Sequence, residues 1–184
     1  MTWLDVLLQR WRMRVAVREL HSPARLLDIG THDGLIFRLT GAGGVGIDPE
    51  LSSPGQAPAG VRLVKGSFPS DMPETQSVLF DAVTALAVVE HVPEGELDVW
   101  AGAIARIVAP GGSLIITVPA PAVDKILHGL MRLRLVAGME AHQHHGFQPA
   151  DLNRIFSPPH WSRSKHQLFQ LGLNHLFVFE RVGA

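Results

Sequence analysis

The sequence predicts an α/β fold with a mostly parallel sheet, helices on both faces and an antiparallel hairpin at the C-terminal end. Short apolar runs alternate with helical patterns along the chain, which is typical of strands joined by crossover helices. The run at 79–86 is apolar enough for a strand that is buried on both faces. Two strand-like segments at 167–171 and 176–180 flank Gly172, Leu173 and Asn174, which predicts the hairpin.

An N-terminal helix over 1–20 precedes the first predicted strand. Thr2 can cap this helix, and Asp5 then occupies its third position. Arginines supply much of its polar surface, and its apolar residues fall on one face, which consists of Leu4, Leu7, Leu8, Trp11 and Val15. A basic amphipathic helix can lie on a membrane, but we expect this one to pack its apolar face on its own domain.

The other elements follow from apolar periodicity and from glycine and proline breakers. Residues 51–60 contain two prolines and two glycines, so we expect a loop there instead of a crossover helix. Pro110, Gly111 and Gly112 are expected to close the helix before the fifth strand. The predicted strands lie at 26–29, 45–47, 61–64, 79–86 and 113–118, and the predicted helices at 35–39, 96–108, 122–139 and 149–156.

Length and composition bound the class of protein. The 184 residues suffice for one domain, 1–184, with a proper core. The net charge is −1 and no long basic run exists, so we expect no nucleic-acid partner. The absence of cysteine excludes disulfides and thiolate chemistry. Because prolines and glycines break the uncharged stretch 107–123 and the N-terminus lacks a signal-peptide pattern, we expect a cytoplasmic protein without a membrane span.

Two carboxylates stand at the ends of consecutive predicted strands. Asp28 comes near the end of the first strand, just before the turn from Gly30 to Gly34, and Asp48 ends the second strand. Open parallel sheets bind ligands outside the carboxyl ends of their strands. A carboxylate at the tip of the second strand is well placed to accept hydrogen bonds from ribose hydroxyls. This pattern indicates a cofactor that contains a nucleoside.

The ordered motifs resemble the class I S-adenosylmethionine-dependent methyltransferases of the small-molecule type, from about Arg25 to Arg181. Residues 27–34 resemble the family's first glycine motif, acidic-x-Gly-x-Gly-x-Gly. The later pieces of the resemblance are Gly46-Ile47-Asp48, Phe80-Asp81-Ala82-Val83, Val89-Glu90-His91-Val92, Pro110-Gly111-Gly112 and Leu114-Ile115-Ile116-Thr117-Val118-Pro119. The resemblance implies a Rossmann-like seven-stranded sheet whose last strand is antiparallel. It also implies methyl transfer from S-adenosylmethionine to a small-molecule acceptor.

The resemblance also implies a set of cofactor-binding residues. The turn would pass beneath the methionine part of the cofactor, with Asp28 organising it and Asp48 holding the ribose. The full expected set is Asp28, Gly30, Thr31, His32, Gly34, Asp48, Pro49, Ser67, Phe68, Leu86 and His91. Ser67 and Phe68 would border the adenine, and Leu86 and His91 would close the methionine side.

Three features depart from the family pattern. His32 replaces the middle glycine of the motif, so its side chain must point away from the cofactor or contact it. Ser67 stands where the family often has an aspartate, so adenine recognition would rely on backbone groups. The crossover helix after the second strand is replaced by the predicted loop at 51–60, which would leave the adenine edge more open.

A histidine-rich segment supplies candidates for the acceptor side. Histidine changes its charge near neutral pH, so the candidate bases are His91, His142, His144 and His145, with Glu140 a weaker one. We expect no metal site, because no acid–histidine pattern of a zinc enzyme accompanies these histidines. A solvated loop is an open alternative to a place beside the acceptor. The segment 120–148 is the expected roof of the acceptor site. Its apolar helix carries Lys125, Arg132 and Arg134, which would suit a hydrophobic or anionic acceptor, or simply face solvent.

Two other functions fit part of the pattern. A nicotinamide-dependent oxidoreductase shares the strand, turn and acidic strand end, but it requires Gly-x-Gly-x-x-Gly with a bare second glycine, where this chain has His32. A non-catalytic relative could bind the cofactor or a protein partner without turnover. The oligomeric state and the methylated atom do not follow from the sequence.

Overall fold

A computed structural model describes residues 3–51, 57–73, 78–120 and 148–183. The helices are α1 (Trp3–Glu19), α2 (Leu35–Thr40), α3 (Leu97–Ile107) and α4 (Leu152–Ile155). The strands are β1 (Arg25–Ile29), β2 (Gly43–Asp48), β3 (Val61–Lys65), β4 (Phe80–Leu86), β5 (Val108–Pro119), β6 (Trp161–Phe169) and β7 (Asn174–Arg181). Short 3₁₀ helices cover Val89–His91, Glu94–Glu96 and Pro149–Asp151. The predicted helix at 122–139, most of the segment 120–148 and part of the predicted loop at 51–60 lie outside the described residues.

The strands form one seven-stranded sheet in the order β3-β2-β1-β4-β5-β7-β6. Strands β1 to β5 run parallel, and β7 pairs antiparallel with both β5 and β6. The predicted fold, a mostly parallel sheet that ends in an antiparallel hairpin, is therefore confirmed. The chain builds outward from β1 in one direction and from β4 in the other, so the order reverses between these two central strands. This reversal opens a crevice at their carboxyl ends.

The core lies on both faces of the sheet. One face packs Trp100 and Ile104 of α3 against Phe177 and Phe179 of the hairpin. The opposite face packs α1 and α2, including Ile36 and Phe37, against strand residues such as Leu26 and Ile115. Because both faces of the central strands β1, β4 and β5 are covered, we expect the site at an edge of the sheet.

The inward face of α1 differs from the prediction. Leu7 and Trp11 are 53% and 42% exposed, whereas Val15 and Ala16 are buried. Ala16 is small enough to let the helix pack close to the sheet. Arg12 lies four residues earlier on the same face of α1, so this face is turned toward the sheet. The predicted apolar face was therefore wrong at Leu7 and Trp11, because close packing favoured the small residue over the larger apolar ones. No helix in the described ranges is long and apolar enough to cross a membrane.

The fifth strand starts earlier than predicted. Val108 pairs with Phe80, and the ladder resumes at Ser113 opposite Ala82 after a register irregularity. Pro110, Gly111 and Gly112 thus form an interruption within β5 instead of a loop between α3 and the strand. The hairpin turn lies at 170–173, so the prediction was wrong for Gln170 and Leu171, which belong to the turn, and for Asn174, which belongs to β7. Strand β6 also begins earlier than predicted, because this edge strand is largely exposed and polar and carries little apolar alternation.

Candidate active site

The glycine turn follows β1 at the carboxyl edge of the sheet. Gly30, His32 and Gly34 all have positive φ, at 78°, 54° and 70°. The Gly30 N–H donates to the Ile47 carbonyl over 2.8 Å, which ties the turn to β2. A Cβ on Gly30 would collide with the side chain of Val88. Glycine is needed here both for the backbone conformation and because the chain after β4 packs directly on the turn.

Gly46 in β2 also permits a close approach. A Cβ at this position would lie 2.8 Å from the Thr31 hydroxyl oxygen and 2.8 Å from a Leu63 methyl group. Thr31 is buried by this packing, and an interaction of its hydroxyl with the Asp28 carboxylate lowers the pKa of that carboxyl group. The absence of a side chain at Gly46 therefore lets the turn pack closely against β2.

Asp48 holds the turn in place. One of its carboxylate oxygens accepts the His32 N–H over 2.8 Å, and the other accepts the Glu50 N–H over 2.7 Å. The residue is 8% exposed. Each carboxylate oxygen can accept a further hydrogen bond, so the clamp leaves capacity for ribose hydroxyls. The sequence indicated a ligand role for Asp48 but not this backbone clamp, which also explains how the non-glycine residue His32 is held at positive φ.

Asp28 lies inside the sheet and not at its tip. Its neighbour across the ladder is Thr84 of β4, whose hydroxyl donates to the Asp28 carboxylate over 2.6 Å. Burial raises the pKa of Asp28 to about 6, and hydrogen bonds from the Thr84 and Thr31 side chains oppose part of that rise. The negative charges of Asp48 and Asp33 raise this pKa further. Asp28 therefore supports the turn from below.

The chain after β4 closes the other side of the crevice. The Ala87 N–H donates to the Thr117 carbonyl over 2.9 Å, so this segment stays close to the end of β5. It continues through Val88, which packs on Gly30, into the 3₁₀ turn Val89–His91. Glu90 in this turn is buried, and Arg12 of α1 interacts with it electrostatically. Leu86 ends β4 and His91 ends the 3₁₀ turn, so both lie in this segment, and their place beside the cofactor stays a prediction.

The buried pairing of Glu90 with Arg12 was not predicted from the sequence. Glu90 belongs to the Val89-Glu90-His91-Val92 motif, but only its histidine drew attention as a candidate base. Arg12 was counted with the polar surface of the N-terminal helix, because no pattern within one helix shows which charged residue faces another element. The available signal was the position of Glu90 one residue before His91, directly after a buried strand.

Ser67 and Phe68, the two residues expected to border the adenine, lie in different surroundings. The Gly66 N–H donates to the Asp48 carbonyl over 3.1 Å, which brings the end of β3 beside Asp48. The Ser67 N–H donates to the Asp71 carboxylate over 2.8 Å. The Phe68 ring turns into the core, where it meets Trp100 edge to face at 5.2 Å. Ser67 thus lies at the crevice, while the Phe68 ring is a core residue.

The structure brings most predicted site residues to one edge. The glycine turn, Asp48, Ser67, Leu86 and His91 gather at the carboxyl ends of β1 to β4, with Pro49 next to Asp48. His142, His144 and His145 lie outside the described residues, so their expected place on the acceptor side stays a prediction. Within the described ranges, no three His, Asp or Glu side chains are grouped as metal ligands.

A separate cavity of about 480 Å³ lies at the opposite edge of the sheet. Residues before β1, at the start of β4 and in the interrupted part of β5 line it, including Pro23, Asp81 and Gly111. Its charged Glu19 and Lys165 form an ion pair with each other over 2.7 Å. This cavity is remote from the glycine turn and contributes nothing to the crevice.

Comparison with protein families agrees with the geometry of the crevice. The family model described as a methyltransferase domain matches residues 2–158. The chain belongs to this family. It is a class I S-adenosylmethionine-dependent methyltransferase, and its cofactor is S-adenosylmethionine. A comparison with curated protein sequences gave no significant match.

Solved structures show that the methyltransferase shares its fold with several enzymes of low sequence identity. The N-methyltransferase NodS from Bradyrhizobium japonicum is 13% identical, with a TM-score of 0.62 over 97% of each chain. The 1,6-didemethyltoxoflavin-N1-methyltransferase from Burkholderia thailandensis is 18% identical, with a TM-score of 0.65 over 97% of this chain and 82% of that chain. The magnesium protoporphyrin IX methyltransferase from Synechocystis is 16% identical, with a TM-score of 0.63 over 98% and 88%. The latter two structures contain bound S-adenosylhomocysteine.

Proposed function

We propose that this methyltransferase acts on a small-molecule acceptor and binds its cofactor across the glycine turn and Asp48. The observation that carries the proposal is the Asp48 clamp, which fixes the positive-φ turn while keeping spare acceptor capacity at the tip of β2. Two structural relatives, a 1,6-didemethyltoxoflavin-N1-methyltransferase and a magnesium protoporphyrin IX methyltransferase, support a small acceptor.

Different residues of the crevice bind different parts of the cofactor. Asp48, next to Pro49, accepts the ribose hydroxyls. The turn through Gly30, Thr31 and Gly34 lies beneath the methionine part, and Asp28 supports the turn. The His32 side chain points away from the cofactor or borders its methionine end. Backbone groups at Ser67 border the adenine, and Leu86 and His91 close the methionine side.

The bound cofactor supplies an electrophilic methyl group on a sulfonium. The chain contributes proximity and alignment, because in-line displacement requires the acceptor atom opposite the departing sulfur. The buried turn after β4 excludes water from one side of the crevice, which strengthens electrostatic interactions there. His91 lies at this turn and is the described member of the candidate bases.

Two measurements test the proposal. Calorimetric titration of the purified chain with S-adenosylmethionine, S-adenosylhomocysteine and NADH should show binding of the first two alone. Tight binding of NADH would instead favour the oxidoreductase alternative. S-adenosylmethionine with a labelled methyl group, incubated with the protein and a cell extract, should transfer label to the small-molecule fraction. Binding without any transfer would support a non-catalytic relative, and label in protein or nucleic acid would contradict the small acceptor.

The histidines at 142, 144 and 145 have their own test. Replacing all three with alanine should leave cofactor affinity nearly unchanged and should lower turnover on the labelled acceptor. Equal turnover in parent and variant would make them surface residues. Stoichiometric zinc in the freshly purified parent, lost in the variant, would show a metal site instead.

A further inference from the structure

Glu90 presents a buried carboxylate oxygen that no described residue satisfies. The residue is 4% exposed, and its Oε2 atom has no hydrogen-bond partner among the residues that the structure describes. Leaving a buried polar atom unpaired costs free energy, so such atoms are rare unless they serve a site. Among the described residues, Arg12 acts on Glu90 through its charge without a hydrogen bond to Oε2, so a hydrogen-bond partner for Oε2 would come from outside them.

The backbone of the turn that carries Glu90 lies at the crevice. Val88, two residues earlier, packs on Gly30, and Ala87 is hydrogen-bonded to the end of β5. The first half of α1 reaches the same edge, because the Leu8 carbonyl accepts a hydrogen bond from the Gln170 side chain over 2.7 Å and Gln170 follows β6 there. Arg12 is one helical turn further along α1, and its Nε atom is also buried without a partner among the described residues.

We propose that Glu90 receives the proton of a protic acceptor, an O–H or N–H nucleophile, and that Arg12 is the positioning residue that keeps the Glu90 carboxylate ionised. The inference rests on the proposed function, because it requires the methyl group of the cofactor to lie before this turn. The acceptor lone pair forms the new bond to the methyl carbon, and the carbon–sulfur bond breaks. Its electron pair stays on sulfur, which becomes a neutral thioether, and the acceptor proton moves to Glu90 Oε2.

The electrostatics of the pair suit a base that works near neutral pH. Burial raises the pKa of Glu90 to about 7, while a hydrogen bond from its own backbone and the charge of Arg12 lower it. Arg12 on α1 is the charged group that acts on Glu90 from a packed element, and the hydrogen bond comes from the turn itself. A base is most effective when its pKa lies near the working pH, so both protonation states are available to the reaction.

The two forms of the cofactor provide a test that needs no acceptor. S-adenosylmethionine carries a positive charge on sulfur, and S-adenosylhomocysteine does not. A carboxylate that faces the methyl group lies within a few ångströms of that charge and favours the charged form. Glu90 should therefore increase affinity for S-adenosylmethionine without changing affinity for the product.

Calorimetric titration of Glu90→Gln with both compounds tests the position of the carboxylate. Affinity for S-adenosylmethionine should fall about tenfold at pH 8, where Glu90 is mostly ionised, while affinity for S-adenosylhomocysteine stays unchanged. Glu94→Gln is the matched control, since Glu94 is exposed in the next 3₁₀ turn, and it should change neither affinity. Equal changes for both compounds in Glu90→Gln, or no change for either, would overturn the assignment.

The Arg12→Met variant tests the positioning role and does not depend on the folding of Glu90→Gln. The preference for S-adenosylmethionine over S-adenosylhomocysteine should appear as pH rises through the pKa of Glu90. Removing Arg12 should move that midpoint to higher pH, because the guanidinium lowers the pKa of Glu90, whereas Arg14→Met should leave it in place. An unmoved midpoint in Arg12→Met would overturn the role of Arg12. If neither compound binds the parent, the proposed function itself fails, and this inference fails with it.

Discussion

An aspartate clamps the backbone at each edge of the sheet, yet the two edges have different surroundings. At the carboxyl edge, Asp48 accepts the N–H groups of His32 and Glu50 over 2.8 and 2.7 Å. At the amino edge, one oxygen of Asp81 accepts the N–H groups of Ala24 and Arg25, both over 2.9 Å. The first clamp holds a turn at positive φ, and the second fixes the start of a regular strand.

The charged residues near the two clamps also differ in how far they are buried. At the amino edge, Glu19 and Lys165 are partly exposed and neutralise each other beside an open cavity. At the carboxyl edge, burial raises the pKa of Asp28 to about 6 and that of Glu90 to about 7. Buried carboxylates with raised pKa values are concentrated at functional sites. The size of a cavity is thus a poorer guide to this enzyme than the electrostatics at the ends of its strands.

Substitution of a glycine at each edge should show the largest difference. Gly30→Ala should lower the free energy of unfolding by about 3 kcal/mol and abolish cofactor binding, because a Cβ meets Val88 and φ is 78°. Gly111→Ala, with φ of 76° and open space around it, should cost about 1 kcal/mol from backbone strain alone. Chemical denaturation and calorimetry measure both quantities. Equal losses in the two variants would show that packing of the turn after β4 is unimportant.

Removal of each clamp separates stability from binding. Asp48→Ala should weaken cofactor binding by about 1.5–3 kcal/mol, the range for hydrogen bonds to a charged group. Asp81→Ala loses a similar pair of backbone hydrogen bonds, so it should lower the free energy of unfolding while leaving cofactor affinity unchanged. Unchanged affinity in Asp48→Ala would contradict the ribose assignment.

Acid titration should reveal the buried carboxylate of β1. The pKa of Asp28 is about 6 in the folded chain and about 3.9 when unfolded, so the folded state binds more protons between these values. Asp28 therefore lowers stability as pH rises from about 4 to about 6, by on the order of 2 kcal/mol. In Asp28→Asn this part of the pH dependence should disappear, as measured by denaturation at several pH values. Asp81→Asn is the control, and an identical profile for Asp28→Asn and the parent would refute the effect.

The smallest effect is expected at His32. His32→Gly keeps the backbone N–H that Asp48 accepts and relieves the strain of φ at 54°, so stability should rise by up to about 1 kcal/mol. Cofactor affinity should stay within about tenfold of the parent, since glycine is the residue that the family motif has here. A greater loss, with the fold intact, would show that the imidazole makes an essential contact.

The strand pattern and the glycine turn were predictable because each depends on local sequence. Apolar runs located all seven strands, and the turn at 30–34 followed from the acidic residue and glycines beside it. The buried face of α1 was not predictable, because Ala16 is buried on account of its small size, which allows close packing on the sheet, and not on account of its hydrophobicity. The pairing of Arg12 with Glu90 joins residues far apart in the chain, and only the packing of α1 against the turn after β4 brings them together.

The contact between Trp100 and Phe68 gives the molecule its own optical reporter. The Trp100 indole N–H donates to the Phe68 carbonyl over 2.9 Å. Phe68 comes directly after Gly66 and Ser67, and the Gly66 N–H donates to the Asp48 carbonyl over 3.1 Å. Occupation of the crevice by adenine would alter the polarity near this carbonyl and therefore the fluorescence of the indole. Trp161 is buried beside Phe156 at the start of β6, away from this path, and its emission would serve as an internal reference. Cofactor binding could then be followed in the unlabelled protein, with Trp100→Phe losing the part of the signal that Trp100 contributes and Trp161→Phe retaining it.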